Sequence, residues 1–495
     1  MKKNEKCKID KATIIKFLLI LFIAAFCTQA TLQNDTYYTI KVGEKIASEG
    51  YFTEESFTYH ENLKYVNPHW IFDLIIYYIY NMSGYLGIYI YVIITSIITT
   101  YLADYLLKIL GSNRLNRIIF SVIFATFYSM YNASRAQSVS FMLFILEMIF
   151  LELYFKTNKK RFLALLAIIP VAIANVHVAV IPVYYVLFMP FLVQIINFNY
   201  KRIETKQITK KQLIELVATM ILATVFFVIF TPGGKDYLTY TLKMNTYSYI
   251  GTVIEHKPPV LFSETGMILF LITLVEVGVL SLTTKKISTK ELSLHLGLLI
   301  MALKSVRLLM FVITIGLPYF YSYYLKNVNN EKRKLKITLT KNEKKVYLAF
   351  AVLILTGFLA ISKSKMQFVN EEKYPVEATN YIKDNIDYNA LRIFNEYEIG
   401  PYLLMNDIPV FIDSRQDLYT KKFNDVRVYE DYVDAFTEPY KYDEIMEEYK
   451  IDYAIVKIGN GTIATYFKKT KDFEEIYKDK YFKIYQKKGL NIEKK

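Results

Sequence analysis

Cysteine is scarce in this sequence, which has only two, Cys7 and Cys27, among 495 residues. Two cysteines cannot supply a disulfide framework or a zinc site built from cysteine ligands. Tandem repeats, low-complexity tracts and a glycine-rich phosphate loop are also missing from the sequence. These absences exclude a disulfide-stabilised scaffold, a repeat array and a phosphate-loop enzyme.

Apolar residues are abundant instead, because 53% of the chain is hydrophobic and 16% is aromatic. They gather in long runs, of which 88–107, 213–230 and 267–282 are examples. Each run comes close to the ~20 apolar residues that a helix needs to cross a hydrocarbon core about 30 Å thick. The sequence therefore predicts an integral membrane protein with several helical spans rather than a barrel.

The chain is basic, with a formal net charge of +14. Its lysines and arginines fall in clusters between the apolar runs, which is typical of the cytoplasmic loops of membrane proteins. We therefore expect no nucleic-acid partner. The positive-inside rule places the following basic segments in the cytoplasm: 2–11, 114–117, 156–161, 201–211, 285–290 and 326–345.

Each interval between two cytoplasmic loops must cross the membrane an even number of times. The interval from 11 to 114 has three apolar pieces, so we interpret the shortest, 69–80, as an amphipathic helix in the outer interface. The fold class that follows is an α-helical multi-span membrane protein of about eleven transmembrane helices, with a cytoplasmic N-terminus and an external C-terminus. The expected external turns are 132–137, 175–177 and 304–307, and the expected last crossing is 346–361.

The composition becomes charged and alternating near Ser362. We predict a transmembrane domain over 1–362, with 31–84 as its first external loop, and a small extracytoplasmic α/β domain over 363–495. The first apolar run is interpreted as a retained span, and a cleaved secretory signal is the alternative. In the second domain the pattern predicts helices at 375–386 and 440–449, strands at 391–395, 409–413 and 453–458, and a hairpin over 473–486.

Polar residues interrupt the apolar runs at a few places. Because each interval between basic loops crosses the membrane an even number of times, all of them are expected at the external face. A carboxylate, imidazoles and cations are thereby predicted to gather around one outer cavity. These residues are Asp35, His69, Arg135, His177, Lys304 and Arg307.

Several short motifs at these positions resemble the GT-C glycosyltransferases. The likeness is to the bacterial branch related to protein mannosyltransferases and lipopolysaccharide-core sugar transferases, which use polyprenyl-phosphate sugars. It covers nearly the whole chain. The motifs are Asp-Thr-Tyr at 35–37, Asn-Pro-His-Trp at 67–70, Arg-Ala-Gln at 135–137, Asn-Val-His at 175–177 and, in the tail, 395–397, 400–403 and 411–415.

The resemblance implies that Asp35 is the catalytic residue. Transfer of a sugar requires an acceptor hydroxyl to lose its proton, and a carboxylate serves as the general base. A helix-capping Asp is the alternative interpretation. The first loop has a single acid at this point, which favours a base over a paired-acid metal site; no cofactor is certain, and a divalent metal is possible.

The leaving phosphate needs cations, and Arg135, Lys304 and Arg307 are the candidates. Snorkelling of these side chains to the interface is the alternative. His69, His177 and, through its motif, Gln137 are further candidates for binding the substrate. A later external loop with Lys235, Asp236, Glu255 and His256 is a candidate for closing over it, whereas Asp413 and Arg415 are expected to pair structurally.

We therefore expect a multi-pass glycosyltransferase of the cell membrane, in contact with membrane lipids. Its expected partners are a polyprenyl-phosphate-linked sugar donor and an extracytoplasmic acceptor, which is a cell-surface glycan, lipid or protein. One alternative is a transporter or lipid flippase, which predicts polar residues near the bilayer midplane. The other is a non-catalytic membrane scaffold that presents the C-terminal domain, which predicts that Asp35→Asn is silent.

Overall fold

The computed structural model describes residues 11–246, 257–282, 286–328, 367–388, 391–459 and 461–490. The chain divides into two compact units. The first, called here the helical unit, consists of Met1–Gln29, Tyr89–Gly234 and Ile250–Met366. The second, the mixed unit, consists of Ala30–Ile88, Lys235–Tyr249 and Gln367–Lys495. The predicted boundary at 362 lies outside the described residues, and the predicted first external loop belongs to the mixed unit.

The helical unit is built from apolar helices joined by short turns. Local sequence fixes where some of them begin: Asn113 accepts a hydrogen bond from the Asn116 N–H, and Thr209 forms a capping box with Gln212. Two short strands, β1 (Ile203–Glu204) and β2 (Ile287–Ser288), pair in parallel. The helices are Lys11–Cys27, the later part of Trp70–Ile109, Arg114–Tyr131, Gln137–Thr157, Arg161–His177, Ile181–Leu192, Lys210–Ile229, Glu264–Leu282, Thr289–Lys304, Leu309–Phe311 and Leu317–Val328.

Six helical segments among the described residues are long and apolar enough to cross a membrane. They support the predicted multi-span helical class. The number of about eleven stays a prediction, because the expected last crossing, 346–361, lies outside the described residues. The six are Trp70–Ile109, Gln137–Thr157, Arg161–Ile195, Lys210–Ile229, Glu264–Ser281 and Val306–Leu325, and Ala12–Cys27 is a shorter apolar helix.

The predicted turn at 175–177 is confirmed, because the helix breaks at His177, which has φ −165° and ψ 74°. Beyond it the Tyr184 hydroxyl donates to the Leu166 carbonyl over 2.9 Å. Residues 18 apart in one continuous helix would be ~27 Å apart. The chain therefore folds back on itself at His177. Breaks at 132–136 and at Ser305 confirm the other two predicted turns.

The ends of the helices that adjoin the predicted cytoplasmic loops carry buried ion pairs. Lys16 Nζ lies 2.7 Å from Asp104 Oδ1, and Arg117 Nε donates to the same oxygen over 3.0 Å. Near another basic loop, Glu152 pairs with Lys290 and accepts from the Tyr319 hydroxyl over 2.7 Å. These acids compensate the positive charge where the loops enter the helical unit; the side of the membrane stays a prediction.

Two glycines shape the start of the mixed unit. Helix Asn34–Glu49 packs so closely on the next helix that a Cβ at Gly43 would lie 2.2 Å from the Asp73 carbonyl oxygen. Gly84 has φ 59° and ψ −153°, so it kinks Trp70–Ile109 into two helices. The kink falls between the pieces that we predicted to be an interfacial helix and a span.

The C-terminal part of the mixed unit has a four-stranded sheet in the order β3-β4-β6-β5. Strands β3 (Ile393–Asn395) and β4 (Tyr453–Lys457) are parallel, and β5 (Phe473–Lys478) and β6 (Phe482–Lys487) form an antiparallel hairpin beside β4. A core of buried aliphatic and aromatic residues includes side chains from the first loop and from this sheet. The helices are Val376–Asn385, Gly400–Met405, Lys421–Asn424, Val428–Thr437, Lys441–Glu448 and Gly461–Lys469.

Most predicted elements of this segment are confirmed, namely both helices, the strands at 391–395 and 453–458, and the terminal hairpin. The predicted strand over 409–413 is wrong: only Val410 makes an isolated bridge, to Thr58. Residues 410–413 are continuously buried, and the Asn395 side chain accepts from the Phe411 N–H and donates to the Ile412 carbonyl where a strand would form a ladder. The extracytoplasmic location of the segment stays a prediction.

Candidate functional site

The turns of the helical unit bring three of the predicted residues together. Gln137 begins helix Gln137–Thr157, His177 ends helix Arg161–His177, and Arg307 lies in the short turn Val306–Leu308. With Ser140, one helical turn after Gln137, they form what we call the Arg307 cluster. The even number of membrane crossings between basic loops predicted that these turns lie at the same end of the helices. The contacts described next show that they meet.

His177 lies at the centre of the Arg307 cluster and is only 4% exposed. Arg307 Nη2 lies 3.0 Å from His177 Nε2, and Ser140 Oγ lies 3.1 Å from His177 Nδ1. Because a guanidinium can only donate, Nε2 accepts this bond, and a neutral imidazole then carries its proton on Nδ1 and donates to Ser140. The imidazole thus orients the guanidinium.

Gln137 holds Arg307 from another side. Its amide, assigned with the oxygen toward the guanidinium, accepts from Nη2 over 2.8 Å and from Nε over 2.5 Å. The amide and the imidazole are both neutral acceptors, so these bonds fix the direction of the guanidinium without cancelling its charge. A guanidinium in a fixed orientation is well suited to an anionic oxygen such as that of a phosphate.

The other two predicted cations lie apart from these hydrogen bonds. Arg135 is half-buried in the turn before Gln137, where its carbonyl accepts from the Ser138 hydroxyl over 2.8 Å. Lys304 is exposed at the last residue of helix Thr289–Lys304. Asn132, three residues before Arg135, donates to Thr95 and Ser96 over 3.0 and 2.9 Å, which ties the turn at 132–136 to helix Trp70–Ile109.

Asp35 lies in the mixed unit, in the first turn of helix Asn34–Glu49, and is half-buried. The N-cap residue of this helix is Gln33, and Asp35 lies two residues after it. The Asp35 N–H donates to Asn34 Oδ1 over 2.9 Å. The exposed N–H groups of a helix N-terminus attract a negatively charged side chain in the first turn.

His69 is held by a set of buried hydrogen bonds, which we call the His69 cluster: Tyr38, Asn67, His69 and Asp73. His69 Nδ1 donates to Asp73 Oδ1 over 2.7 Å, and Asp73 Oδ2 accepts from Asn67 Nδ2 over 2.9 Å. The His69 N–H donates to Asn67 Oδ1 over 2.9 Å, and the Tyr38 hydroxyl lies 3.0 Å from His69 Nε2. His69 is therefore engaged at both ring nitrogens.

Burial lowers the pKa of His69, but the charge of Asp73 and the hydrogen bond to it raise the pKa more, and Asp35 adds to the same direction. The net pKa lies above the ordinary value, so the imidazolium form persists to higher pH than in a free histidine. Burial and the charge of Asp35 raise the pKa of Tyr38 as well, which keeps its hydroxyl protonated. The electrostatic influence of Asp35 on both groups couples the predicted base to the His69 cluster.

The loop that we expected to close over the substrate is partly helical. Lys235 and Asp236 belong to helix Gly234–Thr246, whereas Glu255 and His256 lie outside the described residues. The Tyr237 hydroxyl donates to the Asn67 carbonyl over 2.8 Å, so this helix contacts the His69 cluster.

The expected pairing of Asp413 with Arg415 is confirmed. Arg415 Nη2 lies 2.6 Å from Asp413 Oδ2, and Nη1 lies 2.6 Å from Glu55 Oε2, with all three side chains buried. The Tyr419 hydroxyl also donates to Asp413 over 2.6 Å. This ionic network joins the first loop to the C-terminal segment and has a structural role.

Sequence reasoning missed Asp73, Glu147 and Glu398. Asp73 lies in the segment predicted to be an amphipathic interfacial helix, and its spacing of four residues from His69 puts both on one helical face. Glu147 is fully buried within helix Gln137–Thr157, and no described residue hydrogen-bonds to its carboxyl oxygens. A lone acid in an apolar run was the available signal. Nothing in the sequence near Glu398 indicates its contact with Asn34, which is 364 residues away.

Metal ligands are not grouped in the described part of the chain, where no three His, Cys, Asp or Glu side chains lie together in a way that could hold an ion. The possible divalent metal stays a prediction.

Comparison with known proteins relates the chain to solved structures by its fold. No family model matches the sequence, and no curated protein does. The oligosaccharyltransferase AglB from Archaeoglobus fulgidus, in complex with an inhibitory peptide and a dolichol-phosphate, aligns with a TM-score of 0.56 at 11% identity over 90% of this chain and 69% of that one.

Two bacterial structures align similarly. ArnT from Cupriavidus metallidurans bound to undecaprenyl phosphate has a TM-score of 0.54 at 11% identity, over 95% of this chain and 96% of its own. The arabinofuranosyltransferase AftD from Mycobacteria has a TM-score of 0.54 at 11% identity, over 97% of this chain but 42% of its own. The predicted likeness to the GT-C membrane glycosyltransferases is confirmed as a likeness of fold.

Proposed function

We propose that this protein is a membrane glycosyltransferase that moves a sugar from a polyprenyl-phosphate donor to an acceptor on the outer face of the cell membrane. The acceptor is a cell-surface glycan, a lipid or a protein. Arg307 and its neighbours bind the phosphate of the donor, and Asp35 is the general base. The fold likeness supports the proposal, since two of the aligned structures carry a dolichol-phosphate and an undecaprenyl phosphate.

The observation that carries the proposal is the Arg307 cluster. Three helix ends converge so that Gln137 and His177 aim one guanidinium, and Ser140 accepts from His177 Nδ1 on the other side of the ring. Such a supporting set is expected where an anion must be held in one orientation, and it exceeds what a snorkelling arginine requires. Arg135 and Lys304 are additional candidates for the same phosphate, and His69 for the substrate.

In the proposed reaction the acceptor oxygen forms a bond to the anomeric carbon while the bond between that carbon and the phosphate oxygen breaks. The electron pair leaves with the phosphate, whose growing negative charge the guanidinium of Arg307 stabilises. The hydroxyl proton passes to the carboxylate of Asp35. The products are the glycosylated acceptor, the polyprenyl phosphate and a protonated Asp35, which returns its proton to water.

The proposal is tested with the purified protein and a panel of undecaprenyl-phosphate-linked hexoses and pentoses, with release or transfer of the sugar as the measurement. We expect turnover of at least one donor and a loss of about 100-fold or more in Asp35→Asn. Glu49→Gln, at the other end of the same helix, is the matched control. Full activity of Asp35→Asn defeats its assignment as the base, and no turnover of any donor defeats the proposed function.

One observation favours a second candidate, a lipid flippase or transporter. Glu147 is a buried carboxyl inside a helix long enough to span the membrane, and such residues mark transport pathways in many membrane proteins. Vesicles with fluorescent polyprenyl phosphate in the inner leaflet separate the two functions. Flipping that stops in Glu147→Gln, without sugar transfer by the unmodified protein, favours the flippase.

A further inference from the structure

We infer that the C-terminal segment of the mixed unit positions Asp35, and that Glu398 does so through the side-chain amide of Asn34. The inference deepens the proposed function, on which its catalytic part rests. The C-terminal segment then has a role within the reaction.

The side chain of Asn34 bonds to two groups at once. Its Nδ2 donates to Glu398 Oε2 over 2.9 Å, and its Oδ1 accepts from the Asp35 N–H over 2.9 Å. The donor end faces a carboxylate, which makes that bond charge-assisted and directional. A carboxylate at position 34 would lack the donor and repel Glu398. The amide therefore transmits the position of Glu398 to the backbone of Asp35.

The residues just before this helix are also held by the C-terminal segment. The Leu32 N–H donates to the Phe368 carbonyl over 2.9 Å, and the Thr31 hydroxyl donates to the Gln367 carbonyl over 3.0 Å. The chain that leads to Asp35 is thus anchored at its backbone, and Asn34 is the last anchored side chain before the proposed base.

An aromatic contact fixes the other side of the same helical turn. The Tyr37 ring packs edge-on against Tyr374 and Tyr402, with ring centroids 4.8 and 5.2 Å apart. Tyr37 is fully buried, and edge-to-face packing of this kind restricts how the turn can rotate. Asp35 therefore lies between Asn34, which hydrogen-bonds to the C-terminal segment, and Tyr37, whose ring packs against it.

Helix Asn34–Glu49 does not depend on Asn34 for its attachment. Its buried residues Val42 and Ile46 belong to the hydrophobic core of the mixed unit, and Lys41 pairs with Asp407 over 2.6 Å. The hydrogen bond from Asn34 to Glu398 is exposed to solvent, where such bonds add little to stability. Its removal should loosen the first turn while the rest of the helix stays in place.

The test combines amide hydrogen exchange with activity on the full-length purified protein. In Glu398→Ala and Asn34→Ala we expect exchange in the peptide 31–38 to rise about tenfold, with a thermal midpoint unchanged within about 2 °C. With the donor that the unmodified protein uses, we expect kcat to fall about tenfold and KM to stay the same, because neither side chain touches substrate.

Two variants serve as controls. Glu398→Gln keeps an oxygen that accepts from Asn34, so it should restore exchange and kcat to within about threefold of the unmodified protein. Lys41→Ala removes a different polar contact between this helix and the C-terminal segment, the pair with Asp407, and it should change neither exchange at 31–38 nor kcat.

Unchanged exchange at 31–38 in Glu398→Ala overturns the inference, whatever the activity. Faster exchange with an unchanged kcat overturns the claim that Glu398 positions the base. An unmodified protein that turns over no donor defeats the proposed function instead, and the exchange measurement still decides whether Glu398 orders the turn.

Discussion

His69 and Asp73 form a hydrogen-bonded pair across one helical turn, with 2.7 Å between Nδ1 and Oδ1 and side chains that are 10% and 0% exposed. The pair is completed by Asn67 on the carboxylate and by Tyr38 on the far nitrogen of the ring. The ring, which the sequence predicts to bind substrate, is thus hydrogen-bonded at both of its nitrogens within this structure. Its charge state follows from Asp73.

The first prediction concerns the pH dependence of stability. The pKa of His69 is raised in the folded chain, so protonated His69 stabilises the fold. This stabilisation is fully present below the unfolded-state pKa of about 6.5 and is lost as pH rises through the folded-state pKa. Asp73→Asn removes the charge that raises this pKa, so burial alone should then lower it. We expect the thermal midpoint of the unmodified protein to decrease as pH rises above ~6.5. In Asp73→Asn we expect this decrease to be absent. An equal slope in both proteins contradicts the assignment.

Stability is also predicted to depend on pH through Asp417, where the cause is burial rather than a neighbouring charge. Desolvation raises the pKa of its carboxyl to about 6, although hydrogen bonds, including one from Tyr240, lower it in part. Ionisation therefore costs more in the folded chain, and stability should fall as pH rises from ~4 to ~6. Asp417→Asn is expected to raise the thermal midpoint at pH 7 and to leave it unchanged at pH 4. A lower midpoint at pH 7 would show that the charged form is stabilising.

Tyr37 and Tyr38 are adjacent and both buried, but only one loses a hydrogen bond on truncation to phenylalanine. Tyr38→Phe leaves His69 Nε2 without its partner and should lower the free energy of unfolding by about 1–3 kcal/mol. No described residue hydrogen-bonds to the Tyr37 hydroxyl, so Tyr37→Phe should be neutral or slightly stabilising. Chemical denaturation of the two variants in one detergent provides the comparison, and equal losses would contradict it.

Arg307 is predicted to matter for transfer through both its charge and its shape. Arg307→Ala should lower kcat/KM for the polyprenyl-phosphate donor by about 100-fold, as expected for loss of a group that stabilises a leaving anion. Arg307→Lys keeps the charge but cannot meet Gln137 and His177 in the same geometry, so it should recover only part of the activity. Arg161→Ala, at the far end of the helix that carries His177, controls for loss of a positive charge. Full activity in Arg307→Lys would assign the effect to charge alone.

Asp104 compensates two cations, Lys16 and Arg117, at the opposite end of the helical unit. Asp104→Ala should lower the free energy of unfolding by about 3–5 kcal/mol, because it leaves buried positive charge uncompensated. Replacement of Lys16 by Met in the same chain should recover part of the loss. Glu49→Ala removes the ion pair between Lys45 and Glu49, whose own side chain is 60% exposed. It should lower the free energy of unfolding by less than ~1 kcal/mol. The thermal midpoints of the four proteins provide the measurement.

The sequence predicted the helical hairpins well, because hydropathy and charge act over a few neighbouring residues and directly mark where a helix can cross and where it must turn. It also predicted that six polar residues at the outer turns would gather, and of these the structure brings His177 and Arg307 into contact, together with Gln137. The strand assigned to 409–413 is wrong because apolar character reports burial, and residues 410–413 are buried without joining the four-stranded sheet.

The sequence by itself determined the membrane class, the turns at 132–137, 175–177 and 304–307, and the likeness to a family of glycosyltransferases. Only the tertiary structure decided that His69 is engaged by Asp73 and Tyr38, that Glu147 is buried without a hydrogen-bonding partner among the described residues, and that Asn34 meets Glu398. The physical reason is range. Hydropathy is a local property, whereas Asn34 and Glu398 are 364 residues apart and meet only because the first loop and the C-terminal segment share one hydrophobic core.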